Sequence, residues 1–345
     1  MIKICFISLN SYPLFVNRST EYFGGAEVQM SLIAKELAKD SRFEVSVITG
    51  DYGQKKVISK KGLKIYKTKV NPVYFFKVLR QTKADVYVER TANIKVALVS
   101  LFCKLFKKKF VYMMAHDWDV DSKWLYYFGL KSADLIIAQT QDQKLKLKRG
   151  FNLNSVVMAS VIKPTSNRRP KKREYILWVG RADTWKRPMS FIGLAEKLPN
   201  LKLVMICRQE NDSNLFKKVK KQAEKLPNLK LVSAVPIEKI VDFFAKAKVL
   251  VNTSSAEGFP NTFLQAGTTK TPILSLKVSP DQYFDKYNCG FTANDEQKQM
   301  VKLCRKMLKK PRLLKTMGQN HYNYVKKNHG FKNIDIFKTN SVKLC

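Results

Sequence analysis

Short apolar runs alternate with helix-length segments along the first 160 residues of the chain. Residues Ile2–Leu9 predict a buried strand, and the apolar positions within Ala26–Lys39 recur at helical spacing. The further predicted strands of this region are Val45–Thr49, Leu63–Tyr66, Val86–Val88, Phe110–Met114, Leu135–Ala138 and Val156–Met158. Apolar strands of this length, separated by helices, are typical of a parallel sheet that is covered on both faces.

The alternation stops at Lys163–Arg173, where two prolines and a dense basic run show no periodicity and predict a solvated linker. It then restarts. Predicted strands are Tyr175–Val179, Leu203–Cys207, Lys230–Val232, Val249–Asn252 and Ile273–Ser275, and predicted helices are Ser190–Lys197, Leu215–Lys225, Ile237–Ala247 and Thr262–Gly267. Basic helical segments continue from about Glu296 to the last residue.

This organisation predicts an α/β fold with two Rossmann-like parallel-sheet domains facing each other across a cleft. We expect a first domain over residues 1–163, a linker over 164–173 and a second domain over 174–318. The helical segment 319–345 is expected to pack back on the first domain. Ligands of such sheets bind outside the carboxyl ends of the strands, so loops at those ends are the places to search for chemistry.

The charge of the chain is extreme, since 64 basic and 27 acidic side chains give a net charge of +37. Residues 1–163 contribute +15 of this, so the excess is spread over both halves and is not a basic tail. A charge of this size attracts nucleic acid, anionic lipid headgroups or phosphorylated substrates. The alternative interpretation is a set of solvated lysine-rich faces without a partner.

Six scattered cysteines contain no C-x-x-C pair, so neither a zinc site nor a redox motif is indicated, and a reducing compartment is expected. The N-terminal apolar run is too short for a signal peptide. The longest apolar stretch, Val96–Phe106, contains Lys104 and cannot span a bilayer. We therefore expect a cytoplasmic protein that is soluble or peripheral on the inner face of a membrane.

Two loops of the first half follow predicted strands. Gly24 and Gly25 precede the first long helix, where backbone N–H groups can approach a phosphate, although a tight loop explains the glycines equally well. His116 follows the strand Phe110–Met114 at its carboxyl end, and either a structural or a catalytic role fits it. The neighbouring run Asp117–Asp119 offers too few ligands to predict a metal site.

Two loops of the second half carry charge. Arg181 follows a predicted strand, with Lys186 five residues later, and two cations at a strand end suit a diphosphate. The segment from Glu257 through a Gly–Phe–Pro turn to the next helix would offer one carboxylate and free backbone N–H groups to a polyhydroxyl ligand. Thr262 and Gln265 have capping-box spacing, so Gln265 is alternatively a helix cap.

Taken in order, these four loops resemble those of the retaining GT-B glycosyltransferases of the group 1 family, and the resemblance covers nearly the whole chain. It is carried by Gly-Gly-Ala-Glu at residues 24–27, Gly-Arg followed by Lys186, and Glu-Gly-Phe-Pro at residues 257–260. The stretch Ile240–Ser254 also resembles the helix and strand that precede the acidic motif of the family.

The resemblance implies a role for each matching residue. Arg181 and Lys186 would bind the donor diphosphate and stabilise it as the leaving group, Glu257 would hold sugar hydroxyls, and His116 would meet the donor sugar or the reacting centre. The remaining implied donor-binding positions are Gly24, Gly25, Gly258, Phe259, Pro260, Asn261, Thr262 and Gln265. The implied reaction retains the anomeric configuration and requires neither a metal nor another cofactor.

One position departs from the family pattern, because Gln265 stands where a second glutamate usually binds the ribose hydroxyls of the nucleotide. Loss of the charge-assisted component, about 1 kcal/mol, predicts a donor affinity roughly fivefold to tenfold lower. A smaller departure is the segment 277–281, which lacks the paired glycines that are frequent there in the family.

The sequence therefore predicts a glycosyltransferase that uses a nucleotide-sugar donor, with UDP-sugars favoured. The expected acceptor is a glycan or a lipid-linked molecule, in cell-surface polysaccharide or glycolipid synthesis, with an anionic membrane surface as a further partner. The alternative is a non-catalytic nucleotide-sugar-binding subunit, which the glutamine at position 265 motivates. A sugar-nucleotide epimerase fits less well, and a nucleic-acid binder is disfavoured because aromatic and basic residues do not interleave.

Overall fold

The computed structural model describes residues 1–16, 23–69, 71–91, 94–116, 124–163, 172–209, 213–233 and 235–345. The chain divides into two compact units. The first unit combines Met1–Ile162 with Phe331–Cys345, and the second unit comprises Lys163–Gly330. The chain therefore leaves the first unit and returns to it for its last helix.

The first unit contains an eight-stranded sheet. Its strands are β1 (Ile2–Ile7), β2 (Phe43–Thr49), β3 (Val57–Lys60), β4 (Leu63–Lys67), β5 (Val86–Glu89), β6 (Lys109–Met113), β7 (Leu135–Ala138) and β8 (Val156–Val157). They lie in the order β3-β4-β2-β1-β5-β6-β7-β8, and the pairs are parallel except for β3 with β4. The order reverses beside β1, which has β2 on one side and β5 on the other and so marks a topological switch point.

Both faces of this sheet are covered, as the period-2 alternation of a buried strand requires. Ile4 and Phe6 of β1 point into one apolar cluster, whereas Cys5 and Ile7 point into another on the opposite face. The covering helices are α1 (Tyr12–Val16), α2 (Gly25–Leu37), α3 (Pro72–Thr82), α4 (Lys95–Leu105), α5 (Trp124–Lys131) and α6 (Gln141–Phe151).

The second unit contains a six-stranded sheet in which all the pairs are parallel. Its strands are β9 (Tyr175–Arg181), β10 (Leu203–Arg208), β11 (Leu229–Val232), β12 (Ala247–Asn252), β13 (Ile273–Ser275) and β14 (Gly290–Thr292), in the order β11-β10-β9-β12-β13-β14. The chain moves outward from β9 to β11 and then crosses back to β12, so the switch point of this sheet lies between β9 and β12.

The helices of the second unit are α7 (Pro188–Glu196), α8 (Ser213–Ala223), α9 (Ile237–Lys246), α10 (Asn261–Thr268), α11 (Tyr283–Tyr287), α12 (Gln297–Leu308) and α13 (Pro311–Asn328). The final helix, α14 (Ile334–Leu344), belongs to the first unit, where Phe337 stacks on Phe6 with ring centroids 5.8 Å apart. Each unit thus has its own apolar core around its own sheet.

The predicted α/β class with two parallel-sheet domains is confirmed. Two strands were not predicted, namely β3 and β14, which have four and three residues. The predicted return at residue 319 falls inside α13, whose side chains His321 and Val325 are buried in the second unit. The return begins at Phe331 instead. Of the predicted linker, residues 164–171 lie outside the described residues.

The cysteines of the chain are all free, with Cys345 exposed and the other five buried. Burial raises the pKa of the buried thiols, as it does for Cys5, Cys103 and Cys304. They act as small apolar side chains. Among the described residues, no helix combines the length and the apolar character that a membrane crossing needs.

Candidate active site

The strongest concentration of chemistry lies at the switch point of the second sheet. Glu257 follows β12, Lys186 follows the neighbouring strand β9, and the Lys186 ammonium donates to Oε1 of Glu257. The Glu257 side chain is only 5% exposed and that of Lys186 is 18% exposed. Two residues 71 positions apart in sequence thus form an ion pair because their strands are adjacent in the sheet.

A hydroxyl orients the carboxylate of Glu257. Ser254 donates through Oγ to Glu257 Oε1 at 2.8 Å, and Ser254 is itself held by Asn252, whose Oδ1 accepts from the Ser254 backbone N–H at 3.2 Å. Both are buried. Sequence analysis did not assign Ser254 a role, although it lies within the acidic segment, three residues before Glu257.

Further hydrogen bonds join the loop after β9 to the loop after β12. The Trp178 indole N–H donates to the Thr253 hydroxyl at 2.8 Å, and that hydroxyl donates to the Lys186 carbonyl at 2.6 Å. The Ser255 backbone N–H donates to the Trp185 carbonyl at 2.8 Å. The backbone of Lys186 is therefore fixed independently of its ammonium group.

The two cations of the loop after β9 have different partners. The Lys186 ammonium lies 4.0 Å from the ring centroid of Trp185, a cation–π contact, in addition to its bond to Glu257. Arg181 forms an ion pair with Asp183 at 3.0 Å and is one-third exposed. The prediction named Arg181 but missed Asp183, two residues later, which neutralises part of its charge.

Helix α10 begins directly after the acidic loop. Its N-cap residue is Pro260, without a side-chain cap, and Asn261 and Thr262 are its first two residues. The capping-box interpretation of Thr262 and Gln265 is wrong, because Thr262 lies inside the helix and Gln265 occupies the second turn. Gln265 is half-buried and lies one turn after Asn261, on the same helix face.

A cluster of aromatic rings packs around Phe259, in the turn that follows Glu257. Phe259 is buried, and its ring centroid lies 4.4 Å from that of His329 and 5.4 Å from that of Tyr283. Tyr283 stacks in turn on Tyr324 at 4.6 Å. The Phe259 side chain thus belongs to the core, so only its backbone is available to a ligand. Gly258 and Pro260 on either side are also buried.

A buried histidine lies within the same cluster. His321 Nδ1 is 2.8 Å from the Thr271 carbonyl and its Nε2 is 3.4 Å from the Tyr283 hydroxyl. Because a carbonyl only accepts, Nδ1 carries the proton and Nε2 accepts from Tyr283. Burial lowers the pKa of His321 to about 4, so the ring is neutral at pH 7.

The carboxyl edge of the first sheet is held by uncharged amides. The Gln139 amide donates to the carbonyls of Met114 and Ala115 at 3.0 and 2.8 Å, and its oxygen accepts from the Ser160 hydroxyl at 2.7 Å. His116 is the next residue after Ala115 and is half-buried. It lies in the first unit, whereas the other predicted catalytic residues lie in the second. Sequence analysis missed Gln139, since a lone glutamine after a strand carries no pattern.

The paired glycines also lie in the first unit, at the start of α2. Gly24 is the N-cap residue with an ordinary extended backbone, and Gly25 is the first helical residue. A Cβ at Gly24 would lie 2.5 Å from Oε2 of Glu27, so a carboxylate already lies close to this helix end. Acidic side chains stabilise helix N-termini in this way. Neither glycine has the positive φ that would require a glycine.

No group of three or more His, Cys, Asp or Glu side chains that could hold a metal ion occurs within the part of the chain that the structure describes. Asp117–Asp119, the one acidic run that sequence analysis weighed as metal ligands, lies outside the described residues.

The arrangement in the second unit can bind an anion beside a polyhydroxyl group. Lys186 has three donors, of which Glu257 uses one, and Arg181 adds a guanidinium on the same strand end. Glu257 is an acceptor held in place by Ser254. Cations and an oriented acceptor at the switch point of a parallel sheet are suited to a nucleotide with an attached sugar.

Solved structures of whole-chain similarity share this fold. Sucrose-phosphate synthase from Thermosynechococcus elongatus has a TM-score of 0.82 at 14% identity, covering 99% of this chain and 98% of that chain. A variant of S. aureus TarM in complex with Fondaparinux, alpha-GlcNAc-glycerol and UDP has a TM-score of 0.73 at 12% identity, with 99% of both chains covered. The fold of the chain is therefore that of the GT-B glycosyltransferases.

Sequence comparison agrees with the fold. Residues 162–324 match the family Glycosyl transferases group 1. A protein of Methanocaldococcus jannaschii described as an uncharacterized glycosyltransferase is 26% identical over 236 residues, which cover 58% of this chain and 57% of the relative. The matched region thus spans little more than half the length of that curated relative. Residues 162–324, a little under half of the chain, thus match the glycosyl transferases group 1 family, and this match supports the resemblance noted in the sequence.

Proposed function

We propose that the chain transfers a sugar from a nucleotide-sugar donor to an acceptor. The observation that carries the proposal is the Lys186–Glu257 ion pair, which lies at the switch point of the second sheet and inside the segment that matches the family. The pair supplies both charges that a nucleotide-sugar requires, a cation for the diphosphate and an acceptor for sugar hydroxyls.

The proposed roles follow from the chemistry of each group. Lys186 and Arg181 bind the diphosphate and stabilise the negative charge that develops on it as the glycosidic bond breaks. Glu257, oriented by Ser254, accepts hydrogen bonds from sugar hydroxyls. His116 is assigned to the donor sugar or the reacting centre, as the family resemblance implies. Backbone N–H groups at the start of α10 and at Gly24–Gly25 are assigned to donor binding.

Binding of a donor exchanges partners within the ion pair. Lys186 turns from Glu257 toward a phosphate oxygen, and sugar hydroxyls replace the ammonium as the partners of the carboxylate. Because the Lys186 carbonyl and Ser254 are held by separate hydrogen bonds, this exchange needs no rearrangement of either loop. The site is thus preorganised for a ligand that carries both an anion and hydroxyls.

The finer assignments are a UDP-sugar donor, retention of the anomeric configuration, and a glycan or lipid-linked acceptor in cell-surface polysaccharide or glycolipid synthesis. The presence of UDP and alpha-GlcNAc-glycerol in the TarM structure supports a UDP donor and a hydroxyl acceptor. No metal or other cofactor is required in this proposal, because the two cations neutralise the diphosphate.

The donor site is tested by thermal shift of the purified chain with UDP, GDP, ADP and UDP-sugars. Ligand at 100 times its dissociation constant stabilises the folded state by about 2.7 kcal/mol. We expect one nucleotide to raise Tm, and Arg181→Met to remove most of that shift. Lys64→Met, which breaks the Lys64–Glu44 ion pair on the first sheet, is the matched control and retains it. If no nucleotide at millimolar concentration raises Tm, the donor site is wrong.

The second candidate is a non-catalytic nucleotide-sugar-binding subunit, which Gln265 favours. The two candidates differ in turnover. A transferase releases the nucleoside diphosphate of its donor when an acceptor is present, and more slowly when water takes the place of the acceptor. Proton NMR of the product reports the anomeric configuration. A binding subunit gives the thermal shift without any release. Inversion in the product would contradict the retaining assignment but not the transferase.

A further inference from the structure

Two neighbouring helices of the first unit carry positive charge with no acidic residue in their own segments, and of their cations Lys108 and Lys109 pair with Asp85 and Asp134 elsewhere in the unit. Residues 72–83, covering α3, contain three cations, and residues 95–109, covering α4 and the turn after it, contain five. Neither segment contains an aspartate or a glutamate. In the whole chain, basic residues outnumber acidic ones by little more than two to one. The absence of acidic residues from both segments therefore distinguishes these two helices from the rest of the chain.

The same helices expose large apolar side chains to solvent. Val73 is 80% exposed and Leu105 is 64% exposed, and Leu101, Phe106 and the nearby Phe128 of α5 are also exposed. Leu101 and Leu105 lie one turn apart on one face of α4. Single exposed apolar residues are ordinary, but several on one face mark an interaction site.

The apolar and basic residues form one continuous surface. The Arg80 guanidinium lies 5.6 Å from the ring centroid of Phe106, and the Lys104 ammonium lies 4.8 Å from that of Phe128. An open groove of about 490 Å³ joins α3 to the end of α4. Its lining residues are Phe76, Lys77, Arg80, Gln81, Lys83 and Phe106. Val73 extends this surface by one turn of α3 beyond Lys77. We call these residues, with Leu101, Lys104 and Leu105, the apolar–basic surface.

We propose that the apolar–basic surface binds an anionic lipid bilayer. Lysine and arginine side chains lay their alkyl stems along apolar groups while their charged ends reach phosphate groups. Here the charged ends of Arg80 and Lys104 lie beside the exposed rings of Phe106 and Phe128. The rings can therefore enter the headgroup–acyl boundary while the cations stay at the headgroups. A nucleic acid would use the cations but would leave Val73, Leu101 and Leu105 in water.

Within the first unit, most of this surface lies away from His116. The ends of α3 and α4 lead into the amino ends of β5 and β6. His116 lies beyond the opposite, carboxyl end of β6. Apart from Val73 at the start of α3, the surface therefore lies towards the other edge of the first sheet from the residue assigned to the reaction. The inference does not rest on the proposed transfer reaction, since bilayer binding needs neither donor nor acceptor.

The test is co-sedimentation of the full chain with vesicles of phosphatidylcholine alone or mixed with phosphatidylglycerol. We expect binding to the mixed vesicles, weakened by salt. Lys77→Gln with Lys104→Gln should weaken binding about 25-fold, as roughly fivefold per cation implies. Leu105→Gln alone should weaken it about tenfold, because burial of the side chain is lost.

The matched control is Lys217→Gln with Lys220→Gln on α8, which removes two exposed charges from a helix of the second unit that has no large exposed apolar residue among those described. It should change binding less than twofold. Equal loss in both charge variants, or no effect of Leu105→Gln, would mean attraction by net charge alone and overturn the proposal. Absence of vesicle binding together with tight binding of a single-stranded oligonucleotide would overturn it in favour of nucleic acid.

Discussion

The carboxyl edges of the two sheets are held together by different chemistry. In the second unit a buried carboxylate and an ammonium, Glu257 and Lys186, join the loops after β12 and β9. In the first unit the neutral amide of Gln139 joins the end of β6 to Ser160. Each contact ties neighbouring loops of a parallel sheet, but of these two contacts only the ion pair consists of charged groups.

The difference indicates which of the two contacts is suited to exchange one partner for a ligand. An amide that donates to two backbone carbonyls satisfies groups that are permanently present, so it has a structural role. An ion pair stabilises the loops only as long as no other anion competes successfully for the ammonium group. In the proposed function, the same contact that joins the two loops of the second unit becomes part of the binding site for a diphosphate.

The largest effect is expected from breaking the ion pair on one side. Lys186→Met leaves the Glu257 carboxylate buried and without its cation, which should lower the free energy of unfolding by about 3 kcal/mol. Adding Glu257→Gln removes the buried charge and should restore most of that loss. Denaturant unfolding of the single and double variants measures both values.

A double variant as unstable as Lys186→Met would mean that packing of the lysine stem on Trp185, and not charge, stabilises the loop. Lys64→Met on the first sheet is the control for loss of an exposed ion pair and should cost less than about 1 kcal/mol.

The two units should also respond oppositely to acid. Burial lowers the pKa of His321 in the second unit to about 4. Between pH 6.5 and 4 the unfolded chain therefore binds more protons than the folded chain. As the pH falls through this range, up to about 3 kcal/mol of the free energy of unfolding is lost. In the first unit, burial raises the pKa of Glu89. Above the ordinary glutamate pKa the folded state therefore binds more protons than the unfolded state, so the free energy of unfolding falls as the pH rises.

Hydrogen exchange at pH 5 and 6.5, resolved by segment, measures the two responses separately. His321→Asn keeps a donor for the Thr271 carbonyl and should flatten the response of the second unit alone, and Glu89→Gln should flatten that of the first. Acid destabilisation that persists unchanged in His321→Asn would show that another group causes it.

A smaller effect is expected from making the amide contact of Gln139 titratable. In Gln139→Glu an ionised carboxylate cannot donate to the carbonyls of Met114 and Ala115, so the free energy of unfolding should fall by about 2 kcal/mol at pH 7. Protonation restores one donor, so the loss should shrink as the pH falls. Urea unfolding at pH 7 and pH 5 is the measurement, with Gln143→Glu on the next helix as the control.

The sequence predicted the fold well because its signal is local. Strands such as Leu135–Ala138 and Ile273–Ser275 were predicted with their observed bounds, since short apolar runs between helices have few alternative structures. The polar residues that support the loops were harder to find. Gln139 bonds to Met114, Ala115 and Ser160, which only the order of the strands brings near. Ser254 and Asp183 lie close to their partners in sequence, but no periodicity distinguishes them from ordinary polar loop residues.

The position of the last helix shows the same limit. Residues 296–345 form one basic, helical pattern. The eighteen residues of α13 belong to the second unit, whereas the fifteen residues from Phe331 onward belong to the first. Apolar spacing predicts that these helices bury one face, but it does not say against which core. His321 and Phe337, both fully buried, lie in different cores.

The smallest effect concerns the one position of the second edge where an expected charge is absent. Gln265→Glu places a carboxylate on the half-buried face of α10, eight residues after Glu257 and one turn after Asn261. If a nucleotide ribose binds there, charge-assisted hydrogen bonds should tighten nucleotide binding roughly fivefold to tenfold, measured by calorimetry with the nucleotide that raises Tm. Gln222→Glu on α8 is the control for an added charge. Weaker binding would mean that the carboxylate faces the diphosphate instead, because repulsion between two anions outweighs any bond to the ribose.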